Sequence, residues 1–234
     1  MTPREKINYK LRSKIKSIFS EKSKKWQKYE DDRKEFIKDY SIEKIDSLSE
    51  KEYAIGWGGE NKSFCYRLEW GLDQLGRIRG SYSSKYGFWY GKKKGIYKRS
   101  KKFGSTNKVA LGRAKIAIKE LLTAVKDDEW EILYKNRFSP TVKGKILFLK
   151  YPTQFLPIYS ERYLRIILNE LKIESISKRG LDMQYTLCSY MNRYFKNYVI
   201  KEYKKSYPEI ENHYMYLWAD VLYEQYKKLL TKKD

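Results

Sequence analysis

Residues 77–119 carry fourteen Lys and Arg and not one Asp or Glu. The same stretch interleaves aromatic and aliphatic residues with glycine. Ile78, Tyr82, Tyr86, Phe88, Trp89, Tyr90, Ile96 and Tyr97 recur with a period near two, punctuated by Gly80, Gly87, Gly91 and Gly95. Alternation between glycine-rich turns predicts an antiparallel hairpin within residues 77–103.

The flanking sequence has the helical period instead. Thr2, Pro3 and Glu5 have the pattern of an N-cap, a first helical residue and a capping-box partner. They predict a basic helix to about Phe19, with Ile7, Leu11, Ile15 and Ile18 on one face. A second, polar helix is expected from Ser20 to Tyr40, with sparse apolar residues at Trp26, Tyr29, Phe36 and Ile37. Ser63 can cap a helix carrying Phe64, Leu68, Leu72 and Leu75, which Gly76 ends. A helix with Val109, Ile116, Leu121 and Val125 follows from about Thr106, then a short one around Trp130. Residues 141–151 read as a buried strand ended by Pro152 and Pro157. Ser160 caps a helix with Tyr163, Leu164, Ile167 and Leu171. The last 50 residues read as helices broken at Pro208, one presenting Leu187, Met191, Tyr194, Phe195 and Tyr198, the next Leu217, Val221 and Leu222. The fold class expected is α+β: a small antiparallel sheet with packed helices and helical extensions at both termini. The expected divisions are a basic helical arm over 1–40, an α+β DNA-binding core over 41–172 and a helical extension over 173–234.

Composition narrows the function. The 234 residues carry a formal net charge of +22, and 41% are apolar or aromatic, with 23 Tyr, so disorder is not the expectation. A chain of this length buries roughly 70% of its unfolded surface and needs no disulfide. Cys65 and Cys188 are the two cysteines and His213 the one histidine, too few and too scattered for a zinc site of ordinary spacing. Buried free thiols suit a reducing cytosol, so a cytoplasmic location is expected. No apolar run reaches the roughly 18 residues that would span a membrane.

Fourteen of the 22 net charges therefore fall in 43 residues. Solvated surfaces normally mix signs, and one-sign clustering is the footprint of a phosphate partner. The interleaved rings can stack on an exposed or flipped base. The candidate DNA contacts are Arg77, Arg79, Ser84, Lys85, Tyr86, Lys92, Lys93, Lys94, Lys98, Arg99, Lys101 and Lys102. Trp57, in the loop Gly56-Trp57-Gly58-Gly59, together with Trp89 and Tyr90, is the candidate base pocket. No catalytic residue, metal ligand or cofactor is expected. The expected partner is double-stranded DNA, with no membrane role.

Three segments carry a resemblance: Ser63-Phe64-Cys65-Tyr66-Arg67-Leu68-Glu69, Leu75-Gly76-Arg77-Ile78-Arg79-Gly80 and Ser84-Lys85-Tyr86-Gly87. With Lys145-Ile146-Leu147-Phe148-Leu149 and Leu156-Pro157-Ile158-Tyr159, they resemble N-terminal regions of McrB-like AAA+ proteins of modification-dependent restriction systems. Arg67 stands where that pattern has Trp, and Ser81 where it has a second Gly. The resemblance implies a module that recognises modified DNA in antiviral defence, joined to a AAA+ motor in a longer parent chain and to a nuclease subunit. This chain has no GxxxxGK[ST] of its own. Glu202-Tyr203-Lys204, with Asp182 upstream, has the spacing of a metal-nuclease motif but lies in a helical pattern. A metal-dependent nuclease and an RNA-binding protein are the alternative readings.

Overall fold

The computed structural model describes residues 3–57, 62–78, 82–125 and 129–231, without the side chains of residues 3, 4, 6 and 7. Ten α-helices and one two-stranded sheet are described: α1 Pro3–Asp39, α2 Ile42–Ser47, α3 Glu50–Tyr53, α4 Phe64–Tyr66, β1 Phe88–Gly91, β2 Ile96–Arg99, α5 Asn107–Thr123, α6 Trp130–Lys135, α7 Pro140–Lys150, α8 Glu161–Leu171, α9 Gly180–Tyr203 and α10 Ile210–Leu230. The fold class is α+β, with packed helices and helical termini. No helix among the described residues is long and apolar enough to cross a membrane.

The chain divides into two compact units, one of Met1–Asp31 with Tyr151–Asp234, the other Asp32–Lys150. The divisions expected from sequence were 40/41 and 172/173. In the first unit, α1 lays Leu11, Ile15, Ile18 and Trp26 into the core. Asp220 of α10 receives the Lys22 ammonium at 3.0 Å and the Trp26 indole N–H at 3.4 Å. The Tyr216 hydroxyl donates to Glu30 at 2.9 Å, and Phe19 stacks on Tyr203 with centroids 4.1 Å apart. Leu187, Met191 and Phe195 of α9 and Leu217, Val221 and Leu222 of α10 are buried, as the period predicts. His213 is buried as well, a ring nitrogen 2.6 Å from the Tyr207 hydroxyl.

The expected break at Ser20 is absent, and α1 runs on for 37 residues. The Ser20 hydroxyl donates to the Lys16 carbonyl one turn back, which satisfies it inside a helix instead of capping a new one. Thr2 lies outside the described residues, while Pro3 does open α1.

The second unit holds the sheet. Ser63 caps α4, accepting from Tyr66 N at 3.3 Å. The chain then widens into a π turn, Arg67–Gly71, and tightens into a 3-10 turn, Asp73–Leu75, before Gly76 ends it at φ +93°. Thr106 caps α5 by accepting from Val109 N. The face α5 buries is Ala110, Ala114, Ala117, Ile118 and Leu121, small residues that allow close approach, while Val109 and Ile116 are exposed.

Residues 141–151 correct the sequence reading, because Pro140–Lys150 is a helix and not a strand. Every residue from Val142 to Leu149 is buried, Lys143 and Lys145 included, so the segment has no solvent-facing side and no helical period shows. The start signal was present in Ser139-Pro140, where Ser139 accepts from Val142 N and proline takes the first helical position. Two lysines are drawn inside. Lys143 donates to Leu133 O at 2.8 Å, and the fully buried Lys145 donates to Leu72 O at 2.8 Å and Gly76 O at 2.7 Å. Those carbonyls end the 67–75 segment, so Lys145 acts as its C-terminal cap from a distant helix. Lys145→Met should lower stability by about 2–4 kcal/mol in urea denaturation, because two inward carbonyls lose a charged donor. A loss under about 0.5 kcal/mol would show that the cap contributes nothing.

Candidate nucleic-acid interface

β1 and β2 pair antiparallel with Phe88 opposite Arg99, Trp89 opposite Lys98, Tyr90 opposite Tyr97 and Gly91 opposite Ile96. Alternation along a strand sends neighbouring side chains to opposite faces. One face carries Phe88, Tyr90 and Tyr97. Phe88 stacks on Tyr97 at 5.1 Å and Tyr90 meets Tyr97 edge-on at 5.1 Å. Phe88 is fully buried and tilts against Tyr53, which ties this face to the core. The opposite face carries the half-buried Trp89 and Lys98 with the exposed Ile96. The tip between the strands is the 3-10 turn Lys92–Lys94, closed by Gly95 in the left-handed region.

The base of the ribbon is fixed by buried polar contacts. Glu69, in the π turn, accepts from Lys85 Nζ at 2.9 Å and from the Tyr86 hydroxyl at 3.1 Å. Lys85 also donates to Ile78 O at 2.8 Å, and the Tyr53 hydroxyl donates to Tyr86 O at 2.6 Å. Burial pushes the Tyr86 and Tyr53 hydroxyls and the nearby Cys65 thiol well above their ordinary ranges, so all three stay protonated. Farther along, Tyr90 N donates to Ile55 O at 2.9 Å. Gly56 stands against the Tyr90 carbonyl at φ +107°, where a Cβ would collide with that oxygen.

These contacts correct two of the proposed DNA contacts. Lys85, with a side chain 5% exposed, and Tyr86, fully buried, hold the ribbon from inside and face no solvent. Ser84 is half-buried in the same turn, its carbonyl accepting from Gly87 N. Arg77 is exposed and pairs with Asp73 at 3.0 Å. Arg79 lies outside the described residues. Outside the proposed set, Lys119 pairs with Asp46 at 2.8 Å and Lys115 donates to the Asp46 carbonyl.

Nine of the fourteen cations lie between residues 92 and 113: Lys92, Lys93, Lys94, Lys98, Arg99, Lys101, Lys102, Lys108 and Arg113. All but the half-buried Lys98 are exposed. In sequence they run from the hairpin tip through β2 and the turn after it to the first turns of α5. Lys98 and Arg99 lie on opposite faces of the ribbon, and Arg99, Lys101 and Arg113 line one cleft. Lys108 and Arg113, exposed in the same acid-free stretch, were not among the expected contacts.

The base pocket as first proposed also changes. Trp89 and Tyr90 are adjacent in β1 and project from opposite faces, so the two rings cannot wall one pocket. Trp57 donates its indole N–H to the Lys51 carbonyl at 3.1 Å and lies beneath the Lys51 ammonium at 5.5 Å, which anchors its loop. Gly58 and Gly59 lie outside the described residues. Trp89 is half-buried and lies opposite Lys98, on the other face of the ribbon from Tyr90. Among the described residues, no group of three or more His, Cys, Asp or Glu could hold a metal ion. In comparisons with known proteins, no family model matches the chain, and no curated protein or solved structure matches it.

The buried position of Lys85 has a measurable consequence. Lys85→Met should cost about 3–5 kcal/mol of stability by urea denaturation, because it strands a buried carboxylate. A surface phosphate contact would lose well under 1 kcal/mol on the same substitution, and that result would return Lys85 to the interface.

Proposed function

We propose that the Asp32–Lys150 unit is a DNA-binding specificity module that grips duplex DNA through its phosphates. The observation that carries this reading is the run of nine cations over residues 92–113, with no acid in the interval, five of them in the hairpin whose base Glu69 holds. Phosphate contacts of this kind position a protein without reading sequence. Reading falls to Trp89, which can stack on a base displaced from the helix while Lys98 meets the adjacent backbone. The resemblance to McrB-like proteins supports a modified base as the target, within a restriction or anti-phage system whose AAA+ motor and nuclease lie elsewhere. The two buried free thiols, Cys65 and Cys188, suit a cytoplasmic setting.

The test is affinity for a duplex across a salt series. Engagement of about five phosphates gives a slope of log K against log salt of about −4 to −5. Lys93→Gln with Lys94→Gln should weaken binding to all sequences alike and reduce the slope by about 2. Trp89→Ala should weaken modified duplexes more than plain ones. A flat salt response would sink the proposal. Stronger competition by RNA of equal length would move the partner to RNA, and metal-dependent cleavage of plasmid would make the chain a nuclease.

A further inference from the structure

Between the end of β2 and the start of α5 lies a cleft of about 680 Å³ lined by Arg99, Lys101, Gly104, Ser105 and Arg113. Its volume is within the range of small-ligand sites, roughly 300–1,000 Å³, and well above what a lone phosphate needs. Three of its five lining residues are cationic and none is acidic. Arg99 is directed by a neutral partner, donating to Asn107 Oδ1 at 3.4 Å, so its charge is not cancelled. Gly104 is pressed against the first turn of α5, where a Cβ would meet Val109 Cγ1 at 2.6 Å and Ala110 N at 3.1 Å. A larger side chain cannot be carried at that wall.

We propose that this cleft is a phosphate-monoester subsite that takes the 5′-terminal phosphate of a nucleic-acid strand. The proposal rests on the DNA-binding reading for its source of ligand. The shape gives the first reason. The exposed lysine tip of the hairpin suits the continuous backbone of a duplex, whereas this concave but open depression can also receive a strand end or a detached nucleotide. Charge gives the second reason. A phosphodiester carries one negative charge, but a monoester carries about 1.5–2 at pH 7. Two guanidinium forks and an ammonium around one recess answer a dianion, and guanidinium binds such oxygens in bidentate fashion. A free mononucleotide carries the same chemistry and is the other source.

The experiment uses the full chain and two duplexes of one sequence, one with 5′-phosphate and one with 5′-hydroxyl ends, alongside calorimetric titration with dAMP and with deoxyadenosine. The 5′-phosphorylated duplex is expected to bind at least about tenfold more tightly. Arg113→Gln should remove that preference with the melting temperature unchanged, since Arg113 is exposed, while Lys93→Gln with Lys94→Gln weakens both duplexes equally. Equal affinity for the two duplexes, with dAMP binding that deoxyadenosine does not share and Arg113→Gln abolishes, keeps the subsite and makes a free nucleotide its ligand. Equal affinity with no dAMP binding overturns the proposal while the DNA-binding reading stands. If neither duplex binds, that earlier reading fails and the dAMP titration alone decides the cleft, its absence overturning the proposal.

Discussion

Glu69 is a carboxylate held inside the Asp32–Lys150 unit, and the hairpin of that unit depends on how that charge is answered. A lone buried carboxylate would cost several kcal/mol. Lys85 and Tyr86 both reach it from the next segment, at 2.9 and 3.1 Å. In doing so they fix the turn Ser83–Tyr86, from which β1 departs two residues later. Tyr53 adds a bond to the Tyr86 carbonyl, and Ile55 accepts from Tyr90, so the ribbon is tied to the helical part at successive residues. Lys145 closes the other side of the same segment by capping Leu72 and Gly76.

This arrangement separates two uses of lysine within one basic stretch. Lys85 and the distant Lys143 and Lys145 spend their charge on buried acids or carbonyls and hold the structure together. Lys93 and Lys94 stand exposed at the tip of a ribbon whose base is held by these contacts. A surface already ordered before a partner arrives loses little conformational entropy on binding, so more of its electrostatic attraction appears as affinity. The same fixation places Trp89 and Lys98 side by side on the open face while Phe88 is consumed by the core.

Much of this was legible in the sequence. The α+β class, the hairpin within 77–103, the caps at Ser63 and Ser160 and the helix start near Thr106 follow from local chemistry that tertiary packing did not override. The helix Pro140–Lys150 was not legible by period, because burial on every side erases the contrast that period measures. Ser20 misled because its hydroxyl can cap a helix or serve within one, and only the fold decides. The opposite orientation of Trp89 and Tyr90 was available from strand alternation alone. The burial of Lys85 was not, since its partner Glu69 lies sixteen residues away and nothing local announces the pairing. The cleft beside Arg113 depends likewise on a turn bringing residues 99 and 113 together.

The central claim is that the basic segment over residues 92–113 is where nucleic acid docks. Amide hydrogen exchange of the full chain, with and without a saturating duplex at low salt, tests it most directly. The account predicts slowed exchange from Phe88 through the first turns of α5, with the amides of α8, α9 and α10 unchanged. Protection confined to α1 or to α8–α10, with residues 88–113 exchanging as in the free protein, would contradict it.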